Sequence, residues 1–525
     1  MEEDLTSAER LVIAAFPEGA TVDLPEDEAQ RTIRGELLVN VLTGLFPLPS
    51  GARPALKIVG ARISGKFILE GLTIDAPIRF EQCLFEEAPN FIDAECPSVR
   101  LPACQVPGFL GASLRVGGNL EMNNGFICVG QLDLSSAEIG GDLKMQHALI
   151  YSPGTHALFA SRIAVSKAFL AAGMVVVGQT RILSGRISGL LSLNGARLLN
   201  PDGIALHAER AEVGESFFLQ NSFRAEGRTI LQNASVGGGI DARGGSFSST
   251  PDKNCLNLHW VRAGRNVSLR EAQFAGNVTC QAASIGGSLN LTDAAFASGS
   301  TVMLDRLRAD RIQMLPAAAP GLLSLRQARV NSFEDDPRSW PLEWRLANFE
   351  YTSLDSASPV GPRERLKWLA LDADGYRPQP YQQLAAFYRS VGEEQHARQV
   401  ALKGLRRRRG TLSPIGRVLG YLLDVTVGYG YRTWIAGLWL SLFASLGTVI
   451  FAAWPPHLVD PTKPRPFAPF IYTLNLLLPI VDLGQKDTWE PQASTQWIAW
   501  TLTLLGWALT TAVVAGISRV LNRST

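Results

Sequence analysis

No two cysteines are spaced CxxC, no HExxH occurs, and no nucleophile elbow or Ser/His/Asp set is present. The six cysteines (83, 96, 104, 128, 255, 280) are scattered, and the six histidines (147, 156, 207, 259, 396, 457) show no metal-ligand spacing. Metal and nucleophilic chemistry therefore lack the residue patterns they need. Gly237–Gly239 with Gly244 and Gly245 recur at the phase of other repeats, and no helix follows them. They read as structural turns and not as a dinucleotide loop, so a membrane-bound oxidoreductase has no cofactor motif. We expect no catalytic residue, no metal site, no cofactor and no enzyme. The opening MEEDLTSAERLVIAAF is acidic where a signal peptide is basic. With the unpaired cysteines it predicts reduced thiols in a cytosolic domain. The net charge of +1 argues neither for nor against nucleic acid, and 525 residues suffice for two or three domains.

Long apolar runs are present, and they organise the chain from its end. Trp434–Trp454 and Trp497–Ser518 carry no charge over 21 and 22 residues, each enough for one span of about 20. Between them Phe467–Val481 is apolar but shorter, with Pro469 and Pro479 near its ends. Its helical part, Phe470–Leu478, is too short to cross. Irregular backbone survives at membrane depth only inside protein or beside water. Span, re-entrant half-helix, loop and span resemble the two-span, pore-loop superfamily of ion channels. Lys403, Arg406–Arg409, Arg417 and Arg432 precede the first span, and Arg519 and Arg523 close the second. The loop between has only Lys463, Arg465 and Lys486. Positive residues stay inside, so both termini are expected to be cytoplasmic, in a bacterial inner membrane. Seven of eleven tryptophans lie at or after 434, as an aromatic belt requires.

Upstream, the chain repeats from about Pro54 to Val330. IleSerGlyLysPheIleLeu at 63–69 recurs as ValGlyGlyAsnLeuGluMet at 116–122, IleGlyGlyAspLeuLysMet at 139–145 and IleGlyGlySerLeuAsnLeu at 285–291. Weaker copies begin near 165, 263 and 308, and the spacing is 22 to 27 residues from 116 on. Period-2 alternation predicts strands, the glycine pair predicts tight turns, and no unit buries its own apolar face alone. The fold class is therefore mainly β: a cytoplasmic, right-handed β-helix-like solenoid of roughly ten coils, a helical linker and an α-helical two-span pore module. The solenoid resembles pentapeptide-like and bactofilin-like β-helices, with a longer period. Its expected divisions are a helical cap (1–53), solenoid (54–330), Trp-rich connector (331–376) and a helical hairpin of tetratricopeptide type (377–412). An interfacial helix and turn (413–432) and the pore domain (433–525, half-helix and loop 467–485) complete the chain.

ThrValGlyTyrGly at 426–430 spells a potassium-filter sequence. Only one span follows it and an arginine cluster precedes it, so it reads as a turn at the inner face. The better filter follows the half-helix, with Asp482, Gly484 and Gln485. A ring of carboxylates favours cations, and Thr510 and Thr511 of the second span are candidates to line water. Ala508, Ala512 and Gly516 make a close-packing face there. Two spans do not enclose a pore, so four copies around one axis are expected. Arg306, Arg308, Arg311, Arg326 and Arg329 crowd the last coils and offer a site for a nucleotide or short single-stranded oligonucleotide. The layout is similar to the Hailong-type effector channels of bacterial anti-phage defence, in which a cytosolic crown over a two-span pore answers an oligonucleotide signal. The expectation is a ligand-gated cation channel in the lipid bilayer. A membrane-anchored scaffold whose solenoid binds a protein partner is the alternative, though an anchor has no use for a half-helix.

Overall fold

A computed structural model describes residues 5–25, 27–250, 253–356, 360–431, 434–460, 466–478 and 480–521. Arg432, Lys463, Arg465, Pro479 and Arg523, used above for topology and boundaries, lie outside the described residues. The chain forms two compact units, Met1–Asp374 and Gly375–Thr525.

The first unit is a β-solenoid. Its strands pair in parallel into two long ladders, of 24 and 19 strands among the described residues. Ile78 sits beside Val99, 21 positions on, and Ile240 beside Val267, 27 positions on. The inward column opens with Leu56 beside Ile78 and closes with Phe333 beside Leu354, about 14 turns in all. This exceeds the ten expected because some coils lack the glycine pair. Glu343–Arg345 and Glu350–Ser356 are strands, so part of the presumed connector is solenoid.

Each coil turns at repeating corners. At one, Ala148 N–H donates to Met145 O across 3.2 Å while His147 holds φ +56°. Equivalent bonds join Ala196 to Leu193, Ala283 to Cys280 and Phe349 to Leu346. A positive φ at the third turn residue is the type II geometry, at home with Gly or Asn. Here it also falls on Ala103, Trp260, Glu271 and Arg306. The glycine pairs do something else. Gly140, Gly237 and Gly286 lack positive φ, and a Cβ on each would strike the carbonyl oxygen of Gly117, Gly214 or Gly264 one coil earlier. They sit at bends between successive short strands, such as Glu138–Ile139 and Leu143–Lys144, and they also permit close approach between coils.

Inside, Phe247–Phe274 and Phe274–Phe296 stack at 5.5 and 5.1 Å. Each fully buried ring of this kind contributes roughly 1.5–3 kcal/mol. The ends are closed. Helix α1 (Ser7–Ala15) begins with a Thr6–Glu9 capping box; the buried Glu9 also grips Arg34 at 2.7 Å. A four-residue turn of helix, α2 (Glu28–Arg31), leads into strand Thr32–Arg34, which pairs with Arg62–Ser64, and α3 (Gly35–Leu42) follows. At the other end α4 (Pro362–Trp368) lays the buried Trp368 on Phe333. Arg365 forms a two-pronged ion pair with Asp335, 2.7 Å on each arm, and both side chains are buried.

The second unit is helical. Helices α5 (Pro378–Ser390) and α6 (Glu394–Arg409) form a hairpin with Leu384 and Tyr388 buried, although Val391 is exposed. Helix α7 (Pro414–Val427) is capped by Ser413, whose Oγ accepts Gly416 N–H at 3.3 Å. Its apolar residues Ile415, Val418 and Leu422 are exposed. Helix α8 (Trp434–Ala453) is long and apolar enough to cross a membrane, the one such helix among the described residues. Helices α9 (Pro469–Leu477) and α10 (Gln496–Leu521) follow. Between α8 and α10, His457–Leu458 pairs antiparallel with Trp489–Glu490.

Candidate pore loop and basic solenoid face

Helix α9 is short because proline opens it and the chain leaves helical geometry at Leu478. It lies between α8 and α10, and both neighbours meet it with glycine. A Cβ at Gly447 of α8 would strike the Thr473 methyl, and one at Gly506 of α10 would strike the Leu477 carbonyl. Small residues at such contacts let helix backbones approach. The close contact on α10 is thus Gly506, and Ala508 is exposed; the Ala512 side chain and the surroundings of Gly516 lie outside what the described residues cover. Tyr472 packs edge-on to Phe451 at 4.9 Å, and both are buried.

The loop after α9 is organised by Asn475, a residue the sequence reading passed over. It is 5% exposed. Its Oδ1 accepts the Gln485 and Lys486 N–H groups, both at 3.1 Å, and its Nδ2 donates to Val481 O at 3.3 Å. One buried amide thereby satisfies three backbone groups of the loop. Asp482 Oδ1 accepts Gly484 N–H at 2.8 Å, and Gly484 holds φ +71°. Gln485 Nε2 donates to Pro466 O at 3.2 Å. Ile480, Val481, Asp482 and Leu483 are exposed at the tip. Among the described residues Thr510 Oγ1 is buried without a partner, Thr511 is exposed, and neither hydrogen-bonds to the loop.

ThrValGlyTyrGly is a helix stop. Val427 ends α7, and Gly428 caps it at φ +54°, with its N–H on Asp424 O. Tyr429 also has a positive φ of 54°. Just before it, Asp424 is clamped by Arg406 at 2.9 Å and Arg409 at 3.1 Å, and Arg409 lies 3.7 Å over the Tyr421 ring. Burial alone would raise the Asp424 carboxyl; the pairs with Arg406 and then Arg409 outweigh it and hold it below the usual range.

On the solenoid the five arginines separate into two sets. Arg326 is held by Asp374 at 2.7 and 3.0 Å, and Arg329 by Glu350 at 3.0 Å. Arg308 stands in register with Arg329, and Arg311 with Ser288 and Ser332. Arg306, Arg308 and Arg311 are exposed, with no carboxylate in ion-pair reach among the described residues.

All six thiols are free and buried, and burial pushes Cys96, Cys128, Cys255 and Cys280 up to about 12. They pack as apolar side chains. Among the described residues no cluster of three or more His, Cys, Asp or Glu is placed to hold a metal. No family model, curated protein or solved structure matches the chain.

Proposed function

We propose that several copies of this chain, most simply four, assemble in a bacterial inner membrane as a cation channel gated by the solenoid. In this reading α8 and α10 are the two spans, α9 is the re-entrant half-helix, and 478–486 forms the filter, with Asp482 at its mouth. Both termini face the cytoplasm, and the solenoid senses a nucleotide or oligonucleotide signal in anti-phage defence. The observation that carries the reading is the glycine-lined seat of α9 between α8 and α10, with Asn475 folding the loop back on the half-helix. A plain anchor needs none of this. A second support is apolar exposure: Leu438, Leu442, Leu446 and Val449 on α8 and Leu504 and Trp507 on α10 are each at least half exposed in the single chain. Lipid and neighbouring copies are the natural cover for such faces.

The alternative is a membrane-anchored scaffold. Val129, Tyr151, Val177 and Leu199, in register on successive coils, favour it as a strip for a protein partner. Topology and assembly separate the two. Leu483→Cys should react with an impermeant thiol reagent in intact cells, and native mass spectrometry should give four copies. A monomer whose Leu483→Cys labels only after lysis rejects the channel and leaves the anchor.

A further inference from the structure

One corner of the solenoid carries a residue its neighbours do not. Arg210, Asn233, Trp260, Ala282 and Arg306 occupy the same corner position on five successive coils. The backbone bonds Asn233 N–H to His259 O, Trp260 N–H to Gln281 O and Ala282 N–H to Asp305 O track that column. All five hold φ between 53° and 58°. That conformation suits glycine or asparagine and is uphill for a bulky ring. Trp260 nonetheless stands there, 49% exposed. The same φ recurs at the corners of the other coils, so what sets Trp260 apart is the exposed ring itself.

The next outward column is Glu212, Ser235, Arg262, Ser284 and Arg308, in strand register. Small side chains therefore flank Trp260 and Arg262 on both sides: Asn233 and Ser235 before them, Ala282 and Ser284 after. Two connected hollows result. One of about 460 Å³ is lined by Trp260, Arg262 and those four small residues. The other, about 670 Å³, shares Arg262, Asn233 and Ser235 and extends to Arg210 and Arg186. Volumes of this size suit a small-molecule ligand.

The chemistry is that of a planar anion. His259 stacks on one side of the Trp260 indole at 4.4 Å and 27°. The His259 Nε2 is buried and lacks a hydrogen-bond partner among the described residues. Burial and then Arg306 lower the pKa of this imidazole. Arg210, Arg262, Arg306 and Arg308 have no carboxylate in ion-pair reach among the described residues. The one acid in the lining, Glu212, leans towards Arg186 at 3.8 Å. Stacking on tryptophan recognises any base, and arginine forks recognise phosphate.

We propose that this corner binds a nucleotide, with the base stacked on the open side of Trp260 and its phosphate held by Arg262 with Arg210 or Arg306. The site deepens the ligand-sensing part of the proposed function and rests on it, but it moves the ligand from the paired Arg326 and Arg329 to the unpaired arginines beside Trp260.

The test is calorimetric titration of the full chain in detergent with AMP, UMP and a mixed-sequence RNA tetranucleotide. At least one should bind, with affinity falling as salt rises. Trp260→Ala, which places at this corner the residue found at Ala282, should weaken binding tenfold or more, and Trp260→Phe should retain part of it. Arg262→Ala with Arg306→Ala should weaken it at least tenfold and flatten the salt dependence. Tetranucleotide binding much tighter than AMP or UMP identifies an oligonucleotide ligand; equal affinities identify a mononucleotide. No binding by any of the three overturns the site. So does unchanged affinity in a folded Trp260→Ala protein, or equal binding of inorganic phosphate or a polyglutamate peptide. A wild type that binds but never conducts rejects the channel and leaves the site standing.

Discussion

A glycine can be required at a position where its φ is ordinary. Gly237 is such a case, because a Cβ there would meet the Gly214 carbonyl of the coil before it. Gly237→Ala should destabilise the solenoid by about 1–3 kcal/mol through overpacking, measured by thermal or denaturant unfolding. An effect near zero would mean that the coils have slack at this seam. Asp424 gives a prediction in pH. Its folded-state pKa lies below the unfolded value, so the clamp to Arg406 and Arg409 stabilises at any pH above the unfolded value of about 3.9 and is lost as pH falls through the folded one. Melting curves of the wild type and Asp424→Asn should differ at neutral pH and converge in strong acid. A gap that is constant with pH would contradict the ion-pair account.

The elements show how the ends of an open stack of strands are covered. An uncovered coil presents free N–H and C=O groups to other chains, and here α1 and α3 close one end while α4 closes the other. The last cap depends on a buried ion pair, Arg365 with Asp335, which also receives the Trp340 indole N–H at 2.8 Å. Removing one partner leaves a buried charge, so Arg365→Ala should cost about 3–5 kcal/mol. Unfolding of the full chain would show it, and a loss under about 1 kcal/mol would mean the cap is held by Trp368 packing alone. This end of the solenoid was the least legible in the sequence. The glycine pairs announced the central coils, yet they stop at Gly286–Gly287. The corners continue as Leu325–Ala328 and Leu346–Phe349, a pattern too plain to stand out among apolar residues. The short helix α9 was legible from two prolines and its length. Its organiser was not, since one Asn within PFIYTLNLL gives no periodic signal. Trp260 was missed for a related reason: only the register of five coils shows that it stands between small residues and unpaired arginines.

For the whole molecule, ligand and pore are linked only as far as the ligand prefers one assembly over another. The solenoid is hydrogen-bonded along its length and is a stiff element, and the stretch around 424–431 combines a clamped helix end with two successive positive-φ residues. The central claim is narrower than gating: the loop folded by Asn475 is an ion path. Single-channel recording of the purified full chain in planar bilayers under a KCl gradient tests it directly. The wild type should give unitary currents with cation-selective reversal, and Asp482→Asn should lower the conductance or shift the reversal potential while the particle remains assembled. Assembled wild-type protein that gives no unitary current with or without bound nucleotide, or an Asp482→Asn channel with the same conductance and selectivity, would contradict the account.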